Sequence, residues 1–181
     1  MKLAVVLPGI GYHKDKPLLY YSTKIVKSLG YEVIDVKYSE MPQKIRGNAE
    51  MMKKAAEIAY RDAEDQLGEI NFSNYEDVVF IGKSMGTYTV AKFISVHGLK
   101  ARQIWYTPVE YTFEFNSKDV VAFIGDADPW SDVEKVKKIA EEQGIKMYSY
   151  PDCNHSLECD DVDTNIEYLR DVMKHTKEFL V

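Results

Sequence analysis

Six short runs of mostly apolar residues recur along this chain, and all but one of the gaps between them hold a stretch whose apolar residues return every three or four positions. The runs are Leu3 to Leu7, Tyr31 to Val36, Val78 to Ile81, Arg102 to Tyr106, Val120 to Ile124 and Lys146 to Tyr150. Where such a run is continuously apolar, it suits a strand covered on both faces. The intervening stretches read as helices. One opens at Asp15 and Pro17 and is stopped by Gly30; the next spans about Asn48 to Leu67, with Met51, Met52, Ala55, Ala59 and Ala63 inward. A third ends near Gly98, and a fourth starts at Ser131, with Glu134 completing a capping box, and closes at Gly144. The last covers roughly Val162 to Phe179, with Ile166, Leu169 and Met173 inward. Strands alternating with helices demand a parallel sheet with helices on both faces. The expected fold is therefore three-layer α/β/α with a six-stranded, mainly parallel sheet, in one domain over residues 1–181, since no repeat or linker divides the chain.

The third run leads directly into Gly82-Lys83-Ser84-Met85-Gly86, followed by Tyr88, Val90, Ala91, Phe93 and Ile94 at helical spacing. Strand, tight turn and helix around Gly-x-Ser-x-Gly is the setting of a nucleophile elbow. Ser84 would stand at the tip of the turn, and the Met85 N–H would point to where charge develops on an attacked carbonyl oxygen. Lys83, inside the motif, reads as a surface charge.

Sites in an open parallel sheet form beyond the carboxyl ends of the strands. The first strand is followed by Pro8, Gly9, Ile10, Gly11, Tyr12 and His13; the third by Ser84; the fifth by Gly125, Asp126, Ala127, Asp128, Pro129 and Trp130; the sixth by Asp152, Cys153, Asn154 and His155. A hydroxyl, a carboxylate and an imidazole thus fall on one rim in the order Ser…Asp…His. Asp128 and Asp126 both remain candidates for the carboxylate. His13 competes with His155 as a base but falls outside that chain order, and His97 and His175 read as solvated helix residues.

This order resembles the α/β-hydrolase fold. Gly82 to Gly86 looks like its nucleophile elbow, Gly125-Asp126-Ala127-Asp128 is similar to its acid loop, and Asn154-His155-Ser156 to its histidine loop. Pro8-Gly9-Ile10 takes the place of its oxyanion segment, with proline where a histidine is usual. The resemblance implies Ser84 as nucleophile, His155 as base, Asp128 as the orienting acid, and the Ile10 and Met85 N–H groups as oxyanion donors. It also implies a fold lacking the first two strands and the cap, because Thr107 to Lys118 is too short to form one. The expectation is a serine hydrolase acting on a small carboxylic ester or thioester, with Tyr12, Tyr106 and Trp130 around a short acyl group.

Composition limits the alternatives. A formal charge of −6 leaves no basic footprint for nucleic acid. No apolar run approaches the ~18 residues that span a bilayer, and the N-terminus reads as a strand rather than a leader, so a cytoplasmic protein without membrane partners is expected. Cys153 and Cys159 form no metal pattern and read as reduced thiols; no metal or organic cofactor is implied. The same triad could serve an amide hydrolase or acyltransferase. A non-catalytic ligand- or protein-binding module on the same fold, or a flavodoxin-like binder, are the readings from other classes.

Overall fold

Leu3, Val5 and Leu7 face one side of the first strand and Ala4 and Val6 the other, and all five are buried. That double burial places the strand inside the sheet. In the computed structural model, which describes residues 1–43 and 45–181, six strands form one sheet. They are β1 (Lys2–Leu7), β2 (Tyr31–Asp35), β3 (Asp77–Lys83), β4 (Arg102–Tyr106), β5 (Val120–Gly125) and β6 (Lys146–Tyr150). Their order is β2-β1-β3-β4-β5-β6 and every pairing is parallel.

Five helices cover the faces: α1 (Pro17–Ser28), α2 (Ala49–Leu67), α3 (Met85–His97), α4 (Val133–Glu142) and α5 (Val162–Leu180). Leu18, Leu19 and Val26 of α1 and Val172 and Leu180 of α5 pack on Ala4, Val6, Val79, Ile81 and Ile104. Across the sheet, Ala63 and Leu67 of α2 and Val90, Phe93 and Ile94 of α3 pack on Leu3, Val5, Leu7 and Phe80. Val136 and Ala140 of α4 continue that layer over Trp105, Ala122 and Ile124. The expected α/β/α fold with a six-stranded parallel sheet is what the chain adopts.

Local signals set the helix ends. Asn48 caps α2 by accepting from the Met51 N–H, and Gly98 ends α3 in the left-handed region at φ +61°. Two expectations need correction. The cap of α4 is Asp132, which accepts from the Lys135 N–H, in place of Ser131; the carboxylate one residue on is the better acceptor. Ile166 faces outward at 61% exposure, because Leu169, Val172 and Met173 already fill the stripe of α5 against the sheet. Among the described residues, no helix is long and apolar enough to cross a membrane.

Chain direction across the sheet reverses between β1 and β3, since β2 lies to one side of β1 and β3 to β6 to the other. Loops leaving two adjacent strand ends in opposite directions open a crevice there. The segment after β1 and the Ser84 turn after β3 border it.

Candidate active site

Ser84 sits between the last residue of β3 and the first of α3 with φ 54° and ψ −119°. Such a conformation costs a non-glycine residue about 1–3 kcal/mol and persists only where its surroundings over-determine it. Those surroundings are tight. A Cβ on Gly86 would lie 2.4 Å from the Leu7 carbonyl oxygen, and one on Gly82 would meet the Gly86 backbone at 2.8 Å. The Ser84 N–H donates to the Tyr106 carbonyl, and its own carbonyl accepts from the Thr87 N–H and hydroxyl. The hydroxyl is thereby turned out of the sheet.

Two further loops bring partners to it. His155 Nε2 lies 2.7 Å from Ser84 Oγ, and His155 Nδ1 lies 2.6 Å from Asp128 Oδ2. The other Asp128 oxygen accepts from the Trp130 N–H at 2.8 Å, and the carboxylate is wholly buried. The two loops cross closely: a Cβ on Gly125 would come within 2.3 Å of the Cys153 carbonyl oxygen. With its proton on Nδ1, the imidazole donates to Asp128 and accepts from Ser84. Burial pushes the His155 pKa below the ordinary imidazole value, the hydrogen bond to Asp128 opposes that, and the charge of Lys83 adds to the lowering. Trp130 stacks on the His155 ring at 5.6 Å, and the Arg46 guanidinium lies over Trp130.

Asp126 does not reach this chain of bonds; it is exposed and pairs with Lys137 at 2.9 Å. His13 is exposed and turned to Asp15. His97 contacts Glu64, while His175 is more enclosed than expected, stacked on Tyr148 at 3.9 Å. Among the described residues, the Ile10 and Met85 N–H groups have no hydrogen-bond partner, and both residues line the small depression over Ser84, together with His155 and Trp130. That depression holds about 20 Å³, room for a single water-sized atom group. Cys153 and Cys159 are free thiols. No group of three or more His, Cys, Asp or Glu side chains among the described residues is placed to hold a metal ion.

Three expectations about the surroundings of Ser84 fail. Tyr106 is fully buried beneath α1 and α5, its hydroxyl bonded to Ser22 and Thr176; as the last residue of β4 it shares the face of Ile104, away from the rim. Tyr12 is also buried, its hydroxyl accepting from the Leu18 N–H, so it joins the α1 core and leaves the pocket. Lys83 is no surface charge: it is 1% exposed, on the face of Val79 and Ile81. Of the three aromatic residues, only Trp130 borders Ser84.

What borders it instead is an apolar cavity of about 330 Å³ walled by Met52 and Ala56 of α2, Met85 and Tyr88 of α3, and Val109, with Lys53 and Glu114 among its lining. Met52, Met85 and Val109 also line the depression over Ser84, so the two spaces adjoin. Val109 follows β4 on the same rim as the other loops and was recognisable on that ground. Met52 was legible only as a core methionine.

No protein-family model and no curated protein matches the sequence. Solved structures do match the fold. Est1E from Butyrivibrio proteoclasticus, solved with ferulic acid bound, superposes with a TM-score of 0.70 at 14% identity, over 99% of this chain and 88% of that one. The esterase Pf2001 from Pyrococcus furiosus gives 0.65 at 14% identity, over 99% and 82%. An alpha-beta serine hydrolase homologue from Coxiella burnetii gives 0.61 at 14% identity, over 96% and 84%. Sheet order, helix layers and these superpositions together establish that the chain has the α/β-hydrolase fold.

Proposed function

We propose that this protein is a serine hydrolase that cleaves small carboxylic esters or thioesters through an acyl-enzyme. The observation that carries the reading is the continuous set of bonds from Asp128 through His155 to Ser84, set on a strained turn at the reversal point of the sheet. A serine hydroxyl is a poor nucleophile at neutral pH and needs a base within hydrogen-bond reach. His155 Nε2 takes the Ser84 proton as Oγ bonds to the carbonyl carbon, and Asp128 stabilises the imidazolium that forms. The Ile10 and Met85 N–H groups donate to the oxyanion; losing one such donor typically costs about 3 kcal/mol. As the tetrahedral adduct collapses, the bond to the leaving group breaks and His155 returns the proton to it. Water then repeats the sequence on the acyl-enzyme, with His155 again as base, and frees the acid and Ser84.

The acyl group enters the cavity between α2 and α3. Its 330 Å³ equals the volume of roughly ten waters, and a methylene is of similar size. Est1E, solved with ferulic acid, supports including aryl acyl esters among the first substrates assayed.

The test is labelling with a fluorophosphonate followed by peptide mapping. Ser84 should carry the label, and Ser84→Ala should lose both labelling and ester hydrolysis while keeping its circular dichroism spectrum. Undiminished labelling of the Ala variant, or none of the wild type, would overturn the assignment.

A further inference from the structure

Lysines are almost never fully buried unless paired, and Lys83 is 1% exposed with no hydrogen bond and no ion pair within 4 Å among the described residues. Its ammonium faces the ring of Tyr12 at 4.9 Å. Directly after it in the chain comes Ser84, held by His155. The groups that bear on Lys83 come from every surrounding element. The loop after β1 brings Tyr12, the start of α1 brings Lys16, β4 brings Tyr106, the loop after β5 brings Asp128, and the loop after β6 brings His155. Glu158, from that last loop, bears on Tyr12. Burial keeps both tyrosines neutral, pushing Tyr106 up to about 12 and Tyr12 further. Lys16 repels the ammonium, and Asp128, itself paired with His155, attracts it from beyond ion-pair distance.

Asp128 therefore serves two bases, and their protons compete. While His155 is neutral, the Lys83 ammonium is the buried cation balancing the Asp128 carboxylate. When His155 is protonated, two cations share one carboxylate in a low-dielectric setting, which is unfavourable. We propose that Lys83 is a positioning residue of this site, a buried counter-cation to Asp128 that holds His155 in its unprotonated, base-competent form. Its effect is greatest on the acid side. Burial brings the Lys83 pKa down to about 7, so below neutral pH the ammonium is charged and opposes a second positive charge on His155. The two protons then titrate as one coupled set. The catalytic consequence rests on the serine-hydrolase reading above; the protonation of His155 does not.

The experiment follows the His155 ring by NMR between pH 4 and 9 in wild type and Lys83→Met, alongside the pH profile of kcat/KM on an aryl ester. In wild type the His155 signal should show two inflections, one its own and one reporting Lys83. In Lys83→Met a single inflection should remain, raised by about half a pH unit or more. The acid limb of kcat/KM should rise with it, so that activity well below the midpoint falls a further threefold or so. Lys83→Gln, which removes the charge but keeps a polar end, should give the same shift and replaces the Met variant if that does not fold. An unmoved His155 inflection in a folded variant overturns the proposal. A moved inflection in the variant, when the wild-type protein neither hydrolyses esters nor takes the fluorophosphonate, overturns the hydrolase reading and leaves the electrostatic assignment standing.

Discussion

Replacing Lys83 by methionine should stabilise the fold, and by an amount that depends on pH in a calculable way. Burial of the side chain depresses the ammonium pKa from 10.5 to about 7. A base whose folded pKa is lowered is bound more tightly to its proton in the unfolded chain, so that chain is favoured wherever it holds the proton. The cost is complete below pH 7 and vanishes as pH rises through 10.5. At 1.36 kcal/mol per pH unit the full cost is about 5 kcal/mol; it is still about 4 at pH 7, about 2 at pH 9 and under about 1 at pH 10. Methionine is one heavy atom shorter and forfeits packing of about 1 kcal/mol, but that loss is the same at every pH. Urea unfolding of wild type and Lys83→Met at pH 7, 9 and 10, with matching m-values, reads the difference directly. The advantage of the variant should shrink by about 3 kcal/mol between pH 7 and 10. His155, whose own titration the variant shifts, has its pKa below the ordinary imidazole value and contributes little change between pH 7 and 10; the remaining titrating groups are common to both proteins and cancel. A pH-independent difference would refute the depressed pKa, and with it the account of Lys83 as a buried ammonium.

Further outcomes follow from the same geometry. Asp128→Asn should lower kcat by about 10⁴, because the imidazole loses the group that fixes its tautomer, whereas Asp126→Asn, which breaks only the exposed pair with Lys137, should change it less than about threefold; steady-state kinetics on one ester would reverse the two roles if the ranking were reversed. Across an acyl series from acetyl to palmitoyl, kcat/KM should peak at intermediate length and Ala56→Trp should lower the ratio of octanoyl to acetyl ester, since each methylene buried in the cavity is worth about 0.8 kcal/mol; an unchanged ratio would remove the acyl group from that cavity. Ser84→Gly should be at least as stable as Ser84→Ala by thermal or urea unfolding, since glycine is spared the cost of φ 54°; a glycine variant about 1 kcal/mol weaker than alanine, as at an ordinary helix position, would mean that the turn is unstrained.

Much of this architecture is legible in the sequence for a simple reason. Strands such as Leu3 to Leu7 and Val120 to Ile124 are apolar on both faces, and only an internal position in a helix-covered sheet accommodates that. The rim residues were equally accessible, because a parallel sheet gathers all its strand ends on one side, so Ser84, Asp128 and His155 share a rim whatever the details of their loops. What was not legible depends on side-chain direction at the last residue of a strand. Lys83 and Tyr106 are register partners at the ends of β3 and β4. Position alone puts both at the rim; alternation from Ile81 and Ile104 sends both into the core beneath α1 and α5. The cavity wall was hidden for another reason. The stripe of α2 reads as core-facing, but its first turns extend past the sheet edge of the core and meet α3 beside Ser84, a matter of helix placement that no local pattern records. A short β4–β5 connection therefore does not leave Ser84 uncovered, because α2 supplies an apolar wall.

Two adjacent residues at the site carry unfavourable terms of this fold. Ser84 is held in a strained backbone conformation and Lys83 in an enclosure that disfavours its charge, and both lie at the end of β3, between β1 and β4. Along the helices local and tertiary preferences agree: asparagine and aspartate caps start α2, α4 and α5, and left-handed Gly98 ends α3. Thr107, just past β4 at φ 45° with a buried hydroxyl that has no partner among the described residues, and Leu157, past β6 at φ 58°, depart from them on the rim that carries Ser84. A sequence consistent along its helices, with strain gathered at the carboxyl ends of β3, β4 and β6, marks that rim as selected for something other than stability. The central strands can hold it because their packing leaves no alternative. The Leu7 carbonyl fills the space a side chain on Gly86 would need, and Gly125 does the same for the loop that carries His155. One close approach, at Gly86, forces Ser84 out of the sheet, and a second, at Gly125, sets the Asp128 and His155 loops against each other, so the strain at the turn and the short bonds of the site both rest on backbone contacts that only glycine permits.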